Sequence, residues 1–330
     1  MHDFTVGELS EGQILARILA RTGDATAAVV GPGDDAAVLR DAGPVVATTD
    51  TLVHGPDFRL AWSSGFDLGW KSAAVNLADV AAMGARPTAL LVALAMPEQT
   101  RISFVEALSD GLRAACDELA PGCAVVGGDL TVSPTLTIAV TALGSLEGRA
   151  PVLRSGARVG DVIAVAGELG VAGEGLAVLF DRFRDADGAP TPWDPQRVDA
   201  AAARAVGRQL RPHPPISLGG VAADAGATAL MDVSDGLVLD ATRLADSSGV
   251  SIALTGSLLA DTDAGLRQAL TGGEDHALLA AFPAGSALPD GFRRIGVAQE
   301  RGPAPVVVDG RAPGGPGGWD PYRDWDSRVG

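Results

Sequence analysis

The chain has 330 residues, of which 47% are hydrophobic and 20% charged, with a formal net charge of −16. That length accommodates two domains of ordinary size and the composition is globular rather than disordered. The acidity argues against nucleic acid or an anionic membrane as partner, because either needs a basic face, and an anionic substrate would have to be met through cations.

Met1-His2-Asp3-Phe4 lacks the basic flank and long apolar core of a signal peptide. The longest apolar runs, such as Ala89 to Met96, are too short to span a bilayer, so a soluble cytoplasmic protein is expected. Ser10 with Gln13 reads as a capping box opening a helix through about Arg21. Strand-like runs follow at Ala27 to Val30, Val45 to Thr48, Leu90 to Ala95, Ala124 to Val126 and Leu136 to Leu143. Helical patterns lie between them, Asp67 to Met83 closed by Gly84 and Ser103 to Leu119 closed by Pro121-Gly122.

Around Arg149 to Gly160 the chain turns Gly- and Arg-rich, then restarts with the strand Asp161 to Val165, which places a domain boundary there. Helices are expected around Ala172 to Phe183, Gln196 to Gln209 and Leu237 to Ser247. Strands are expected at Ala229 to Val233, Ala277 to Phe282, Arg294 to Ala298 and Val306 to Asp309. Pro313 to Gly318 is a spacer before a tail with Trp319, Tyr322 and Trp325.

The most informative pattern is a set of acidic segments that read as turns, most of them after apolar stretches: Gly33-Asp34-Asp35, Thr48-Thr49-Asp50-Thr51, Asn76-Leu77-Ala78-Asp79, Gly127-Gly128-Asp129 and Asp232-Val233-Ser234-Asp235-Gly236. Each alone is an ordinary turn or a solvated face. Together they suggest several strands delivering carboxylates and bare backbone N–H groups to one crevice, and hard oxygen donors on Gly-rich turns suit Mg²⁺ that is itself holding phosphates. On a helix, Ser72, Asn76 and Asp79 share a face of small residues, with Leu68, Val75 and Met83 on the core side.

Other chemistries fit poorly. Gly31-Pro32-Gly33 with Ala36 meets the loose dinucleotide pattern, but Asp34-Asp35 there would repel a pyrophosphate. Trp70 between Gly69 and Lys71 spoils a P-loop, and the four histidines form no metal spacing and have no nucleophile elbow nearby. Cys116 and Cys123 read as reduced packing residues. Lys71 is the only lysine, which a coding bias towards arginine explains without any chemistry.

Gly33 to Ala37, Thr48 to Val53, Lys71 with Ala74 to Ala85, Gly127 to Asp129, Arg154 to Ala157, Met231 to Leu237 and Gly272 to Asp275 together resemble the thiamine-monophosphate kinase family, in order and over nearly the whole chain. The resemblance implies Mg²⁺-dependent transfer of the γ-phosphoryl group of ATP to thiamine monophosphate, giving thiamine diphosphate. It also implies the fold shared with aminoimidazole ribonucleotide synthetase. In that fold an N-terminal α/β domain (1–150) carries a mixed sheet with helices on one side, binds ATP and Mg²⁺, and pairs with its copy in a homodimer. An α+β C-terminal domain (151–330) ends in a tail that contacts substrate.

By the same resemblance, Asp35, Thr48, Thr49, Asp50, Asp79, Asp129, Asp232 and Asp235 would ligate the metal ions. Gly128, Asp129, Arg154 and Ser234 would contact ATP, Asp57, Glu274 and Trp319 would hold the vitamin, and Asp50, Asp129 and Arg154 would carry the catalysis. The sequence departs from the family pattern at Asp57 and His276, where His and Tyr are usual, at Leu130, which replaces a Thr, and in the tail at Trp319. Competing readings are another ATP-dependent synthetase of the superfamily, two of whose types call for a terminal cysteine that this chain lacks, and a nucleotide or metal sensor without turnover.

Overall fold

The computed structural model describes residues 3–32, 36–41, 43–315 and 317–318. Its first half begins with α1 (Glu11–Leu19), opened by the expected reciprocal cap in which Ser10 Oγ accepts from Gln13 N. A small ribbon of β1 (Ala28–Val30) and β2 (Val38–Leu39) follows. Then come β3 (Val45–Val53), α2 (Gly65–Ala82), β4 (Arg86–Met96), α3 (Ile102–Leu119), β5 (Val125–Val132) and β6 (Thr137–Ser145). The four long strands form a mixed sheet in the order β3-β6-β4-β5, antiparallel except for the β4–β5 pair.

Helix α2 lies on one face of this sheet. Ser64 Oγ and the Asp67 carboxylate cap its first turn reciprocally, and Gly84, at φ 73°, ends it where a side chain would be strained. The two-sided pattern expected for α2 is replaced by burial almost all round, Ser72 and Asn76 included. The reason is that α2 is enclosed by the sheet, by α3 and by the second half of the chain. Ser72 Oγ donates to the Gly69 carbonyl and Asn76 Nδ2 to the Ser72 carbonyl, so these polar groups serve the helix itself.

Helices α2 and α3 approach closely at Gly65, Gly69 and Gly111, where an added methyl would overlap the opposing backbone, at Gly69 the Leu108 carbonyl. We predict that Gly69→Ala destabilises the fold by about 3 kcal/mol through overpacking, read as a lower thermal midpoint. An unchanged midpoint would mean that the two helices can separate at no cost.

The second half contains β7 (Val162–Ala166), α4 (Val171–Arg182), α5 (Ala200–Leu210), α6 (Ser217–Asp224), β8 (Ala229–Val233), α7 (Leu237–Ser248), β9 (Ser251–Leu254), α8 (Asp263–Thr271), β10 (Ala277–Phe282), β11 (Phe292–Gln299) and β12 (Val306–Val308). Six strands form one sheet, β12-β9-β11-β7-β10-β8, in which only β12 and β9 are parallel. Alternate residues of β10 enter two cores: Leu279 and Ala281 pack with Leu237 and Leu244 of α7, whereas Leu278, Ala280 and Phe282 pack with Ala222 of α6 and Ala82 of α2. Every residue of β10 and β8 is buried for that reason. This packing brings the C-terminal end of β8 against α2 and the crevice beside it. The described chain is thus a mixed α/β fold with two mixed sheets. Among the described residues no helix is long and apolar enough to cross a membrane.

Candidate active site

Thr48 to Asp50 and Gly127 to Asp129 do not form turns as the sequence suggested; both triplets lie inside strands. Strand alternation then sorts their side chains. Thr48 and Asp50 pair with Ala142 and Val140, whose buried side chains mark the α2 face, and Thr49 pairs with Thr141 on the opposite face. There Thr49 Oγ1 donates to the Val140 carbonyl and accepts from Thr141 Oγ1.

On the α2 face, Thr48 Oγ1 donates to Asp79 Oδ2 at 2.8 Å. From the second half, the end of β8 carries Asp232, and the turn after it carries Ser234 and Asp235, to the same place. Burial raises the Asp79 carboxyl to about 6, with Asp232 and Asp50 adding to the rise. Burial likewise raises that of Asp50, opposed by His276 and reinforced by Asp232, Asp57 and Asp235. These mutual effects mean that carboxylates from β3, α2 and β8 share one field.

The β8 turn is built by a residue that the sequence reading passed over. Asp240, fully buried in the first turn of α7, accepts from Ser234 N at 3.1 Å and Asp235 N at 3.0 Å through one oxygen. Its other oxygen accepts from Arg243 Nη1, which also pairs with Asp235, each at 2.6 Å. The available signal was an acidic residue four positions after Gly236, amid the apolar start of a helix. Behind the turn, His276 Nδ1 lies 3.1 Å from Asp232 Oδ2. Burial lowers the His276 imidazole, but its bond to Asp232 and the attraction of Asp232, Glu274 and Asp79 outweigh that and raise it.

Next to this group is a cavity of about 510 Å³, lined by Asp57, Lys71, Ser234, Asp235 and Glu274 over an apolar floor that includes Trp62 and Phe180. Lys71 Nζ pairs with Glu274 Oε2 and donates to the Gln209 carbonyl at 3.3 Å, while Gln209 Nε2 donates to the same Glu274 oxygen at 2.8 Å. Asp57 is held by Val53 N at 2.7 Å. Burial raises the Asp57 carboxyl, and Glu274 adds to the rise. Glu274 and His276 hold left-handed backbones, φ 72° and 53°, at a cost of roughly 1–2 kcal/mol each. Strain of this kind persists where surrounding contacts fix a functional loop.

Between them, buried Asp275 receives Ala172 N at 2.9 Å and fixes the start of α4. Burial raises its carboxyl from 3.8 to about 6. The native state therefore holds a proton that the unfolded chain has already lost between those pH values, and native stability falls as pH rises through that window. We predict that Asp275→Asn flattens this loss, by up to about 3 kcal/mol relative to wild type above pH 6, in denaturant titrations at pH 4.5 and 7.5. A constant difference at both pH values would contradict it.

Other candidates lie elsewhere or outside the described residues. Asp129, on β5, pairs with Ala93 of β4 at the sheet edge opposite β3 and on the face away from Asp50, so a single chain does not bring it to the Asp50–Asp79–Asp232 group. Gly128 presses against the Val92 carbonyl, where a methyl would overlap backbone. Arg154 is exposed in the segment between β6 and β7, and its carbonyl accepts from Ser248 Oγ. Asp35 and Trp319 lie outside the described residues.

Among the described residues no three His, Cys, Asp or Glu side chains close into a metal cage. Mg²⁺ rarely uses such a cage: one or two carboxylates hold it, and waters and phosphate oxygens complete the octahedron. The hard-oxygen set of Thr48, Asp50, Asp79 and Asp232, with its surplus of negative charge, fits that mode.

Residues 33–146 match the family model "AIR synthase related protein, N-terminal domain". Over 98% of its length the chain is 40% identical to the thiamine-monophosphate kinase of Mycobacterium tuberculosis, covering 95% of that protein. The crystal structure of thiamine-monophosphate kinase from Stenotrophomonas maltophilia superposes with a TM-score of 0.75 at 33% identity, covering 94% of this chain and 99% of that one. The structure of AaThiL complexed with AMPPCP and TMP superposes with a TM-score of 0.72 at 29% identity, covering 97% and 99%. An identity of 40% over nearly the full length of both chains is shared ancestry, and the chain belongs to the thiamine-monophosphate kinase family.

Proposed function

We propose that this protein transfers the γ-phosphoryl group of ATP to thiamine monophosphate, producing thiamine diphosphate, with Mg²⁺ as the required metal. The observation that carries the reading is the convergence of carboxylates from both halves of the chain, Asp50 and Asp79 facing Asp232, beside a cavity with room for a small organic ring. Family membership, and a relative solved with AMPPCP and TMP, supply the substrate class.

The attacking group is an oxygen of the substrate's own phosphate, already largely ionised because the second pKa of a phosphomonoester is about 6. No side chain has to remove a proton. What the protein must supply is alignment and charge balance between anions that repel by roughly 4 kcal/mol per unit-charge pair at 4 Å and an effective dielectric near 20. Bound Mg²⁺ supplies the neutralising charge.

In this reading Thr48, Asp50 and Asp79 hold metal from the sheet side, and Asp232 and Asp235 from the β8 turn. Asp35 would complete this set, and Thr49 and Asp129, on the sheet face away from α2, would add metal ligands only where a second copy covers that face. Gly128, Asp129, Arg154 and Ser234 contact ATP, with Arg154 balancing charge on the transferring group. Asp57, Glu274 and Trp319 hold the vitamin, whose thiazolium cation suits carboxylates and an aromatic face.

We further propose a cytoplasmic homodimer with domains 1–150 and 151–330. The sheet face away from α2 exposes Leu91, Thr49 and Asp129 beside the half-buried Thr141, and a second copy would cover it. ATP labelled in the γ-position, incubated with the protein, Mg²⁺ and thiamine monophosphate, tests the function. Label in thiamine diphosphate supports it. Release as free phosphate would indicate a synthetase, and binding without turnover a sensor.

A further inference from the structure

The cavity beside the acidic group carries three acids, Asp57, Asp235 and Glu274, and three bases, Arg59, Lys71 and Arg184. Its lining is therefore formally neutral, in a chain whose net charge is −16. The three cations are not equivalent. The guanidinium of Arg59 lies over the Trp62 and Phe180 rings and donates to the Gly55 carbonyl, and that of Arg184 lies over Phe180 and donates to the Phe180 carbonyl.

Lys71 instead projects from the buried α2, its side chain only 5% exposed, and pairs with Glu274, whose side chain is 38% exposed. Its charge opposes the negative field that Asp57 and Glu274 exert on each other. A buried ammonium held by one carboxylate, one amide carbonyl and the field of a second carboxylate is costly to build, and it is more than a coding bias requires.

We propose that Lys71 sets the charge of this cavity so that it selects the phosphorylated vitamin over the free one. The proposal rests on the function given above. Thiamine is a monocation, whereas thiamine monophosphate carries in addition a group of about −1.5 to −2 charge at neutral pH. A cavity with Asp57 and Glu274 uncompensated would attract the bare cation and repel the ester. With Lys71 in place the ring is still held by the carboxylates, and the added phosphate is no longer penalised. Both ligands present the same ring, so loss of shape or of a ring contact weakens them together. Only a change of charge moves them apart.

The test is the ratio of dissociation constants, thiamine over thiamine monophosphate, measured by calorimetry with Mg²⁺ and AMPPCP present. Relative to wild type, Lys71→Met should lower that ratio at least tenfold and Glu274→Gln should raise it. The double substitution restores neutrality and should bring the ratio back to within about threefold of wild type. Equal weakening of both ligands by Lys71→Met, with the ratio unmoved, overturns the proposal. If Lys71→Met does not fold, Glu274→Gln decides, and a ratio equal to wild type in that variant overturns it as well. Wild-type protein that transfers phosphate to thiamine monophosphate but fails these ratios defeats only the role of Lys71. Wild-type protein that binds neither vitamin form defeats the proposed function and this inference with it.

Discussion

Replacing Asp50 with asparagine should reduce kcat by at least about 10³-fold, a loss of about 4 kcal/mol of transition-state stabilisation, while the protein stays folded. The side chain sits on β3 beside Val140, facing α2 and the β8 turn, and its carboxyl is raised by burial and by Asp232, Asp57 and Asp235. Without a bound cation that carboxylate is repelled by its neighbours. Asparagine is nearly isosteric and uncharged, so the thermal midpoint should be unchanged or higher even as activity disappears. Steady-state rates and thermal melts on the same preparation check both halves. An Asp50→Asn variant with wild-type kcat removes this residue from the metal site.

Asp240→Ala should do the reverse, harming the fold first and the chemistry through it. The substitution strips the acceptor from Ser234 N and Asp235 N and one partner from Arg243, in a place with no exposure to water. Unsatisfied buried donors cost about 1–3 kcal/mol each, and loss of the pair with Arg243, whose side chain is 40% exposed, adds a smaller, solvent-screened cost. A fall in thermal midpoint of more than about 5 °C is expected. With the β8 turn no longer held, KM for Mg·ATP should rise while KM for the vitamin changes little. Asp240→Asn, which keeps one acceptor, should fall between. Equal rises in both KM values would mean that Asp240 supports the whole domain rather than this turn.

Much of the fold was legible because local chemistry and tertiary packing agree. The Ser10–Gln13 cap, the stop at Gly84 and the strands at 229–233 and 277–282 stand where the sequence put them. Disagreement arose where polar or flexible residues occur in regular structure. Thr48 to Asp50 and Gly127 to Asp129 have turn composition, yet β3 and β5 continue through them because partner strands complete their ladders. Helix α6 carries Gly219-Gly220, poor helix formers, and was missed; Gly219 is there because α6 lies on the Ala81 backbone of α2.

The same contrast holds for the site. Its carboxylates were legible as a recurrent pattern, and in the structure Asp50, Asp79 and Asp232 come within one another's electrostatic reach. Lys71 and Glu274, 203 residues apart, share no local pattern, and only the docking of α2 against the 272–276 loop pairs them. Asp240 left only a faint signal and Gln209 none, for the same reason: each acts on a group brought to it by folding.

In the proposed mechanism the two halves of the chain grip one metal–nucleotide complex between them. Mn²⁺ binding, followed by the electron paramagnetic resonance of the free ion with ATP present, reads this directly in wild type, Asp50→Asn and Asp232→Asn. Either substitution, one in each half, should weaken Mn²⁺ binding at least tenfold. Wild-type affinity in both variants would contradict it.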